Sequence, residues 1–176
     1  MALEHALLVA LSERPGSGLE LAGRFEKSIG FFWHATHQQI YRVLARMEKD
    51  GWVGVETVAQ TGRPDKRVYD VSPAGASVLA DWLAEPLPME TFRSDLAVKL
   101  RAAAYGERAV LLGRVRETLA DHELRLAHYR ELEKRDYAVP ADLAGSDLDQ
   151  FLVLRGGIRL EEFWIGWLNE YLEAHS

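Results

Sequence analysis

Apolar residues recur at helical spacing, then in alternation, then at helical spacing again. From Leu3 to Leu11 they form a compact helical stretch, which Glu13-Arg14-Pro15-Gly16-Ser17-Gly18 ends in a turn. A second helix opens at Gly18, with Leu21, Phe25 and Ile29 at intervals of four, and Gly30 with Phe32-Trp33 interrupts it. A third is predicted from Thr36 as N-cap to Gly51 as its C′ stop. The period then changes. Trp52, Val53, Val55 and Val58 read as a strand, Gln60-Thr61-Gly62-Arg63-Pro64-Asp65 as a turn, and Arg67-Val68-Tyr69-Asp70-Val71 as a second, alternating strand. Ser72-Pro73 starts a fourth helix, a hydroxyl cap followed by proline at the first helical position. That helix carries Val78, Leu79, Trp82 and Leu83 and ends at Glu85-Pro86-Leu87-Pro88, where two prolines in three residues mark a domain boundary.

Three short helices, a hairpin and a fourth helix make a winged helix-turn-helix arrangement. The expected fold is therefore mainly α: a winged helix-turn-helix domain with a two-stranded β-wing over residues 1–87, then an α-helical dimerisation and effector domain over 88–176. In the second half a short helix is predicted from Arg93 to Tyr105, a long one from Glu107 to Tyr137 and a last one from Asp147 to Glu173. Between the last two lies a loop around Val139-Pro140 and Gly145. Leu111, Val115, Leu119, His122, Leu126, Tyr129 and Leu132 follow one another at spacings of 4, 4, 3, 4, 3 and 3, a coiled-coil-like seam. One further long helix is thin cover for it, so a partner subunit is expected to supply the rest. His122 within the seam reads either as a satisfied interface residue or as a ligand or pH-sensing group. In the last helix Phe151, Phe163, Trp164, Trp167 and Tyr171 crowd one region, and Gly156-Gly157 is expected to interrupt the helix. Such aromatics suit the walls of a site for a flat apolar effector, or a dimer core.

The third helix is the most informative segment. At about 100° per residue, Leu44 and Met47 fall within roughly 40° of Ile40, and Val43 within about 60°. Gln38, Arg42, Ala45 and Lys49 lie opposite, flanked by Tyr41 and Arg46. A major-groove helix needs such a face, because Gln pairs bidentately with adenine and Arg with guanine, and N-terminal residues such as Thr36, His37, Gln38 and Gln39 reach base edges first. The competing reading is an ordinary solvated face. The hairpin weighs against it: Thr61-Gly62-Arg63-Pro64-Asp65-Lys66-Arg67 supplies a turn glycine, a stiffening proline and the cations Arg63, Lys66 and Arg67 for a phosphate backbone.

Composition narrows the classes. Of 176 residues, 48% are apolar, as in an ordinary globular chain. With no cysteine, disulfides, thiolate nucleophiles and Cys-ligated metals are excluded, and a metal site would have to use the 6 His and the carboxylates. His34 and His37 sit close in sequence but have no further ligands nearby, so no metal or other cofactor is expected. No apolar run approaches a membrane span, and Met-Ala-Leu-Glu-His lacks the basic opening of a signal peptide, so the expectation is a cytoplasmic, nucleoid-associated protein. No Gly-rich phosphate loop, nucleophile elbow or zinc-type histidine pair supports an enzyme, and Glu161-Glu162 point apart on a helix. The net charge of −6 argues against nucleic acid until it is divided along the chain. Arg24, Lys27, Arg42, Arg46, Lys49, Arg63, Lys66 and Arg67 outweigh Glu26, Glu48, Asp50, Glu56 and Asp65 by three between residues 24 and 67, whereas from Pro86 onward 12 basic residues face 16 acids. The first half suits DNA and the second an acidic, partner-facing role.

Ile40-Tyr41-Arg42-Val43-Leu44-Ala45-Arg46-Met47-Glu48 followed by Gly51-Trp52-Val53 resembles the recognition helix and wing entry of the PadR family of bacterial transcriptional regulators. Gly62-Arg63-Pro64-Asp65-Lys66-Arg67-Val68-Tyr69, then Ser72-Pro73-Ala74-Gly75 and Trp82-Leu83, resembles its wing and fourth helix. The likeness is specific over residues 1 to about 85 and looser beyond. Gln38-Gln39-Ile40-Tyr41 replaces the family's Gly-Thr-Leu-Tyr-like run, a departure in the base-contacting set. The resemblance implies a homodimeric repressor without enzymatic activity, with Tyr41 bonding phosphate and Arg63 anchoring the wing. It also implies a small effector of phenolic or planar type. A two-fold dimer places its reading helices about 34 Å apart, hence a pseudo-palindromic double-stranded operator. The alternative is a winged-helix protein–protein adaptor that does not bind DNA.

Overall fold

The computed structural model describes residues 2–27, 35–62, 65–87, 89 and 93–176. They fall into two compact units, Met1–Pro88 and Met89–Ser176. In the first, the order is α1 (Ala2–Glu13), α2 (Gly18–Lys27), α3 (His37–Lys49), β1 (Val53–Val58), β2 (Lys66–Val71) and α4 (Pro73–Leu83). Ile29, Gly30 and Phe32-Trp33, expected to end the second helix, lie outside the described residues. The strands pair antiparallel from Val53 opposite Val71 to Val58 opposite Lys66. Gly16 adds a bridge to the sheet: its N–H donates to the Tyr69 carbonyl at 3.1 Å, and the Tyr69 N–H donates back at 2.9 Å.

The core of this unit joins Leu7, Leu8 and Leu11 of α1, Leu21 and Phe25 of α2, and Ile40, Leu44 and Met47 of α3, with Val53 and Tyr69 from the sheet. Burying each such side chain is worth about 1.5–3 kcal/mol. The turn after α1 is tied by Arg24, whose guanidinium donates to the carbonyls of Ala10 (2.9 Å), Arg14 (2.5 Å) and Pro15 (2.9 Å). Arg24 thus supplies donors to carbonyls at and just beyond the end of α1. Two capping boxes set the starts of α2 and α3. Ser17 and Glu20 form one, and Thr36 with Gln39 the other, where the Gln39 N–H donates to Thr36 Oγ1 at 3.2 Å and the Thr36 N–H to Gln39 Oε1 at 2.8 Å. At the far end of α3, Gly51 takes φ 73°, the left-handed stop that glycine tolerates. Ser72 caps α4 and donates to the Gly51 carbonyl at 2.6 Å. Beneath it Gly75 packs so tightly that a Cβ there would collide with the Trp52 carbonyl oxygen.

The second unit runs α5 (Asp95–Arg101), a 3-10 turn (Ala103–Tyr105), α6 (Arg108–Asp136), a second 3-10 turn (Pro140–Asp142) and α7 (Gly145–Glu173). The single short helix expected from Arg93 to Tyr105 is instead capped by Ser94 and tightens into 3-10 geometry after Ala102. Both long helices have 29 residues, about 44 Å each. Bonds between residues 122 and 161, 133 and 155, and 137 and 150 fix them as an antiparallel hairpin.

Two further expectations are corrected. Gly156-Gly157 does not interrupt α7, which is continuous there, with Gly157 and Ile158 buried. Glycine costs a helix about 1 kcal/mol relative to alanine, and burial against α6 outweighs that. Nor does the seam of α6 wait for a second subunit. Val115, Leu126, Tyr129 and Leu132 are buried within this chain, and Leu111 and Leu119 pack with Val115, Leu168, Trp167 and Tyr171. α7, laid antiparallel, and Leu100 of α5 supply cover from within the chain.

Candidate nucleic-acid interface

The packing of α3 decides what it presents. Ile40, Val43, Leu44 and Met47 are buried, so Gln38, Arg42, Ala45 and Lys49 are exposed by geometry. His37 is also exposed at the helix start. Thr36 and Gln39 both engage in the capping box, so their side chains hold the helix N-terminus in shape. Tyr41 is 47% exposed, and its ring lies so close to Gly18 that a Cβ there would strike it. That glycine leaves room for the phenol ring against the start of α2.

The cations divide into two sets. Among the described residues, neither Arg42 nor Lys49 has an ion pair. Arg46 pairs with Glu4, a carboxylate only 8% exposed on α1. Lys66 Nζ donates to Glu20 Oε1 at 2.8 Å. With the Ser17 N–H donating to its other oxygen, that bond holds the Glu20 carboxyl down to about 2. Arg67 Nη2 lies 2.6 Å from both oxygens of Glu48, and its guanidinium centre is 5.5 Å from the centre of the Tyr69 ring. The Glu48 bond raises Arg67 further above its ordinary value, and burial raises the Tyr69 phenol. Arg63, expected to anchor the wing, and His34 lie outside the described residues. Charge counted along a sequence window does not reveal Glu4, Glu20 and Glu48 as partners. Of these only Glu20 has a local signal, the Ser-x-x-Glu spacing of a capping box.

In the second unit the aromatic residues of α7 do not gather at one place. Phe163, Trp164 and Trp167 form a trio with ring centres 5.5–6.1 Å apart. Phe151 pairs with Tyr137 at 5.4 Å, and Tyr171 donates to the Leu100 carbonyl at 3.1 Å near the other end of the hairpin. His122 is part-buried: Nδ1 donates to Glu161 Oε2 at 2.5 Å while the ring stacks on Trp164 at 5.5 Å. Arg125 also reaches Glu161, at 3.2 Å, whereas Glu162 turns outward to Arg130. Burial, helped by Glu161, raises the Tyr129 phenol. Among the described residues no group of three His, Asp or Glu is placed to hold a metal, and no helix is long and apolar enough to cross a membrane.

A helical triad, a two-stranded wing and an exposed helix of amides and cations define a winged-helix regulator. Residues 7–81 match the family model described as "Transcriptional regulator PadR-like family", and residues 92–176 match "Virulence activator alpha C-term". The chain is 51% identical to the "Probable transcriptional regulator Rv1176c" of Mycobacterium tuberculosis, over 99% of this chain and 97% of that protein. It superposes on the Vibrio cholerae virulence activator AphA with a TM-score of 0.81 at 32% identity, covering 98% and 96% of the two chains. Bacillus subtilis PadR in complex with operator DNA shares the fold across 100% of both chains, at a TM-score of 0.87 and 24% identity. The same protein with p-coumaric acid matches at 0.79 and 23%, over 99% and 98%. The chain belongs to the PadR-like family, whose members are transcriptional regulators and not enzymes.

Proposed function

We propose that this regulator is a homodimeric repressor that binds a pseudo-palindromic operator, with residues 1–87 binding DNA and residues 88–176 serving dimerisation and effector sensing. The observation that carries the reading is the division of α3: four apolar residues are buried, and Gln38, Arg42 and Lys49 stand clear on the opposite side. Gln38 and Arg42 have the donors for base edges, Lys49 suits phosphate, and the half-exposed Tyr41 carries a hydroxyl suited to the backbone. The operator complex of the Bacillus relative supports DNA as the ligand.

Dimerisation draws support from the outer side of the α6–α7 hairpin. Leu124 of α6 and Leu152, Val153, Leu160 and Phe163 of α7 are all at least 45% exposed, far more apolar surface than a solvated hairpin needs. The trio Phe163, Trp164 and Trp167 is the best candidate wall for a small aromatic effector, and the p-coumaric acid complex of the relative supports that ligand class.

The test is a salt series of binding to the DNA upstream of the protein's own gene. Binding that weakens linearly in log[salt] is expected, because cation–phosphate contacts release counterions. Gln38→Ala is expected to alter preference among operator variants, and Arg42→Ala to weaken binding. Absence of any sequence preference in the wild type would overturn the reading and favour the protein–protein adaptor. Sedimentation at micromolar concentration is expected to give a dimer, and Phe163→Glu a monomer. Repression rests on family resemblance, and the Vibrio relative is named an activator. A reporter under the bound promoter decides the sign, with expression rising on deletion of the regulator as the expected result.

A further inference from the structure

Consecutive residues of a strand point to opposite faces, so Lys66 and Arg67 at the start of β2 leave the wing in opposite directions. Each ends on a carboxylate from a different helix. Lys66 meets Glu20 at the start of α2, and Glu20 is itself held by the Ser17 N–H (2.8 Å) and hydroxyl (3.0 Å). Arg67 meets both oxygens of Glu48 in the last turn of α3 and lies over the ring of Tyr69. The strand is therefore gripped from both sides by two helices, one of which, α3, also carries the DNA-facing residues.

From this arrangement, and resting on the DNA-binding reading above, we infer that Glu20 and Glu48 are positioning residues that set the wing against the recognition helix. In the same inference Lys66 and Arg67 serve as their partners and not as phosphate contacts. Four observations converge on it. Both cations already have an oxygen partner at 2.6–2.8 Å, whereas Arg42 and Lys49 have none among the described residues. Glu20 is not free to swing aside, because releasing Lys66 leaves it still tied into the α2 capping box. Arg67 has its guanidinium centre over the ring of Tyr69, whose backbone is fixed to Gly16 through both its N–H and its carbonyl. And the two grips fall on adjacent residues, which fixes the strand's rotation as well as its distance. An acidic pair beside a DNA-binding wing, repulsive to phosphate if bare, is thereby neutralised where it stands.

The experiment is operator affinity by fluorescence anisotropy across a salt series, with amide exchange of the wing measured without DNA. Lys49→Ala serves as the reference for a cation that meets phosphate directly. It is expected to change the slope of log K against log[salt] by up to about 0.9 for each phosphate it no longer neutralises. Lys66→Ala and Arg67→Ala are expected to keep the wild-type slope while weakening binding several-fold at every salt concentration. Glu48→Gln is expected to weaken binding less than Arg67→Ala, which also bares the Glu48 carboxylate, and the double variant to match Glu48→Gln, since both remove one interaction. Glu20→Gln/Glu48→Gln is expected to speed exchange in β1 and β2 and to leave α6 and α7 unchanged. A slope reduced by about 0.9 in Arg67→Ala or Lys66→Ala overturns the inference. So does tighter binding by either Glu→Gln variant, which would make the carboxylates competitors of phosphate. Wing exchange that is unaltered in the double Glu→Gln variant also overturns it. Faster wing exchange in a protein that binds no operator would leave the grip standing and remove the DNA reading alone.

Discussion

The two units each bury an acid, and they do so in opposite settings. In the first unit Glu4 is 8% exposed and has Arg46, a residue half open to solvent, as a cation partner. In the second Glu161 is 4% exposed and faces His122, itself largely covered, with Arg125 behind it and Trp164 stacked on the imidazole. The first pair fastens α3 to α1 from the edge of the unit. The second lies between α6 and α7, in line with the apolar seam. α3 is braced from the margin of its open face, whereas α6 carries its polar link on the side packed against α7. The apolar stripes are alike, since that of α3 is closed by α1 and α2 and that of α6 by α7, and each leaves the opposite side of its helix exposed.

Core truncations probe this contrast most strongly. Leu44→Ala and Leu168→Ala remove fully buried side chains from the two units, and each is expected to cost about 2–5 kcal/mol in urea unfolding. If the units are energetically separate, the two transitions shift independently. Next come the buried acids. Arg46→Ala removes the guanidinium from Glu4, and His122→Ala removes the imidazole from Glu161, so about 1–3 kcal/mol is expected in each case. The cost at His122 is expected to be the larger, because Arg46 can be partly replaced by water and His122 cannot. Equal costs would erase the distinction between edge and interior.

Smaller still is the cap of the reading helix. Thr36→Ala removes the bond to the Gln39 N–H, and about 1 kcal/mol of stability is expected to go with it. Faster exchange of the first α3 amides is the accompanying signature. The least effect belongs to the exposed pair at the wing. Glu20 is held down to about 2 from an ordinary 4.5, so its contribution is complete above pH 4.5 and disappears as the pH falls toward 2. Being exposed and screened, it is worth about 0.2–1 kcal/mol, and melting curves of wild type and Glu20→Gln are expected to converge through that window.

Much of the first unit is legible in the sequence because its signals are local. Thr36, Gly51 and Ser72-Pro73 mark helix ends through bonds to residues three or four positions away, and the observed ends of α3 and α4 fall where those residues place them. The buried stripe Ile40, Val43, Leu44 and Met47 follows from a 100° turn per residue. Counting cations along the chain goes less far. Arg24 closes a turn, Arg46 is drawn to an acid on the first helix, and Lys66 and Arg67 meet acids 46 and 19 positions away. In the second unit the spacing of α6 identifies its packing face but not what covers it. The five aromatics of α7 read as one cluster because they are near in sequence, yet a helix rises about 1.5 Å per residue and spreads Phe151 and Tyr171 some 30 Å apart.

Periodicity and end-capping are thus written in neighbouring residues: the helices, the hairpin and the open face of α3 follow from forces acting within a turn or a strand pair. Which acid meets which cation, and which helix closes a seam, depends on distances between segments remote along the chain. Those distances are set when the cores close. The same arginine can then serve as a ligand contact or as a brace, according to whether a carboxylate has been carried within about 3 Å of it.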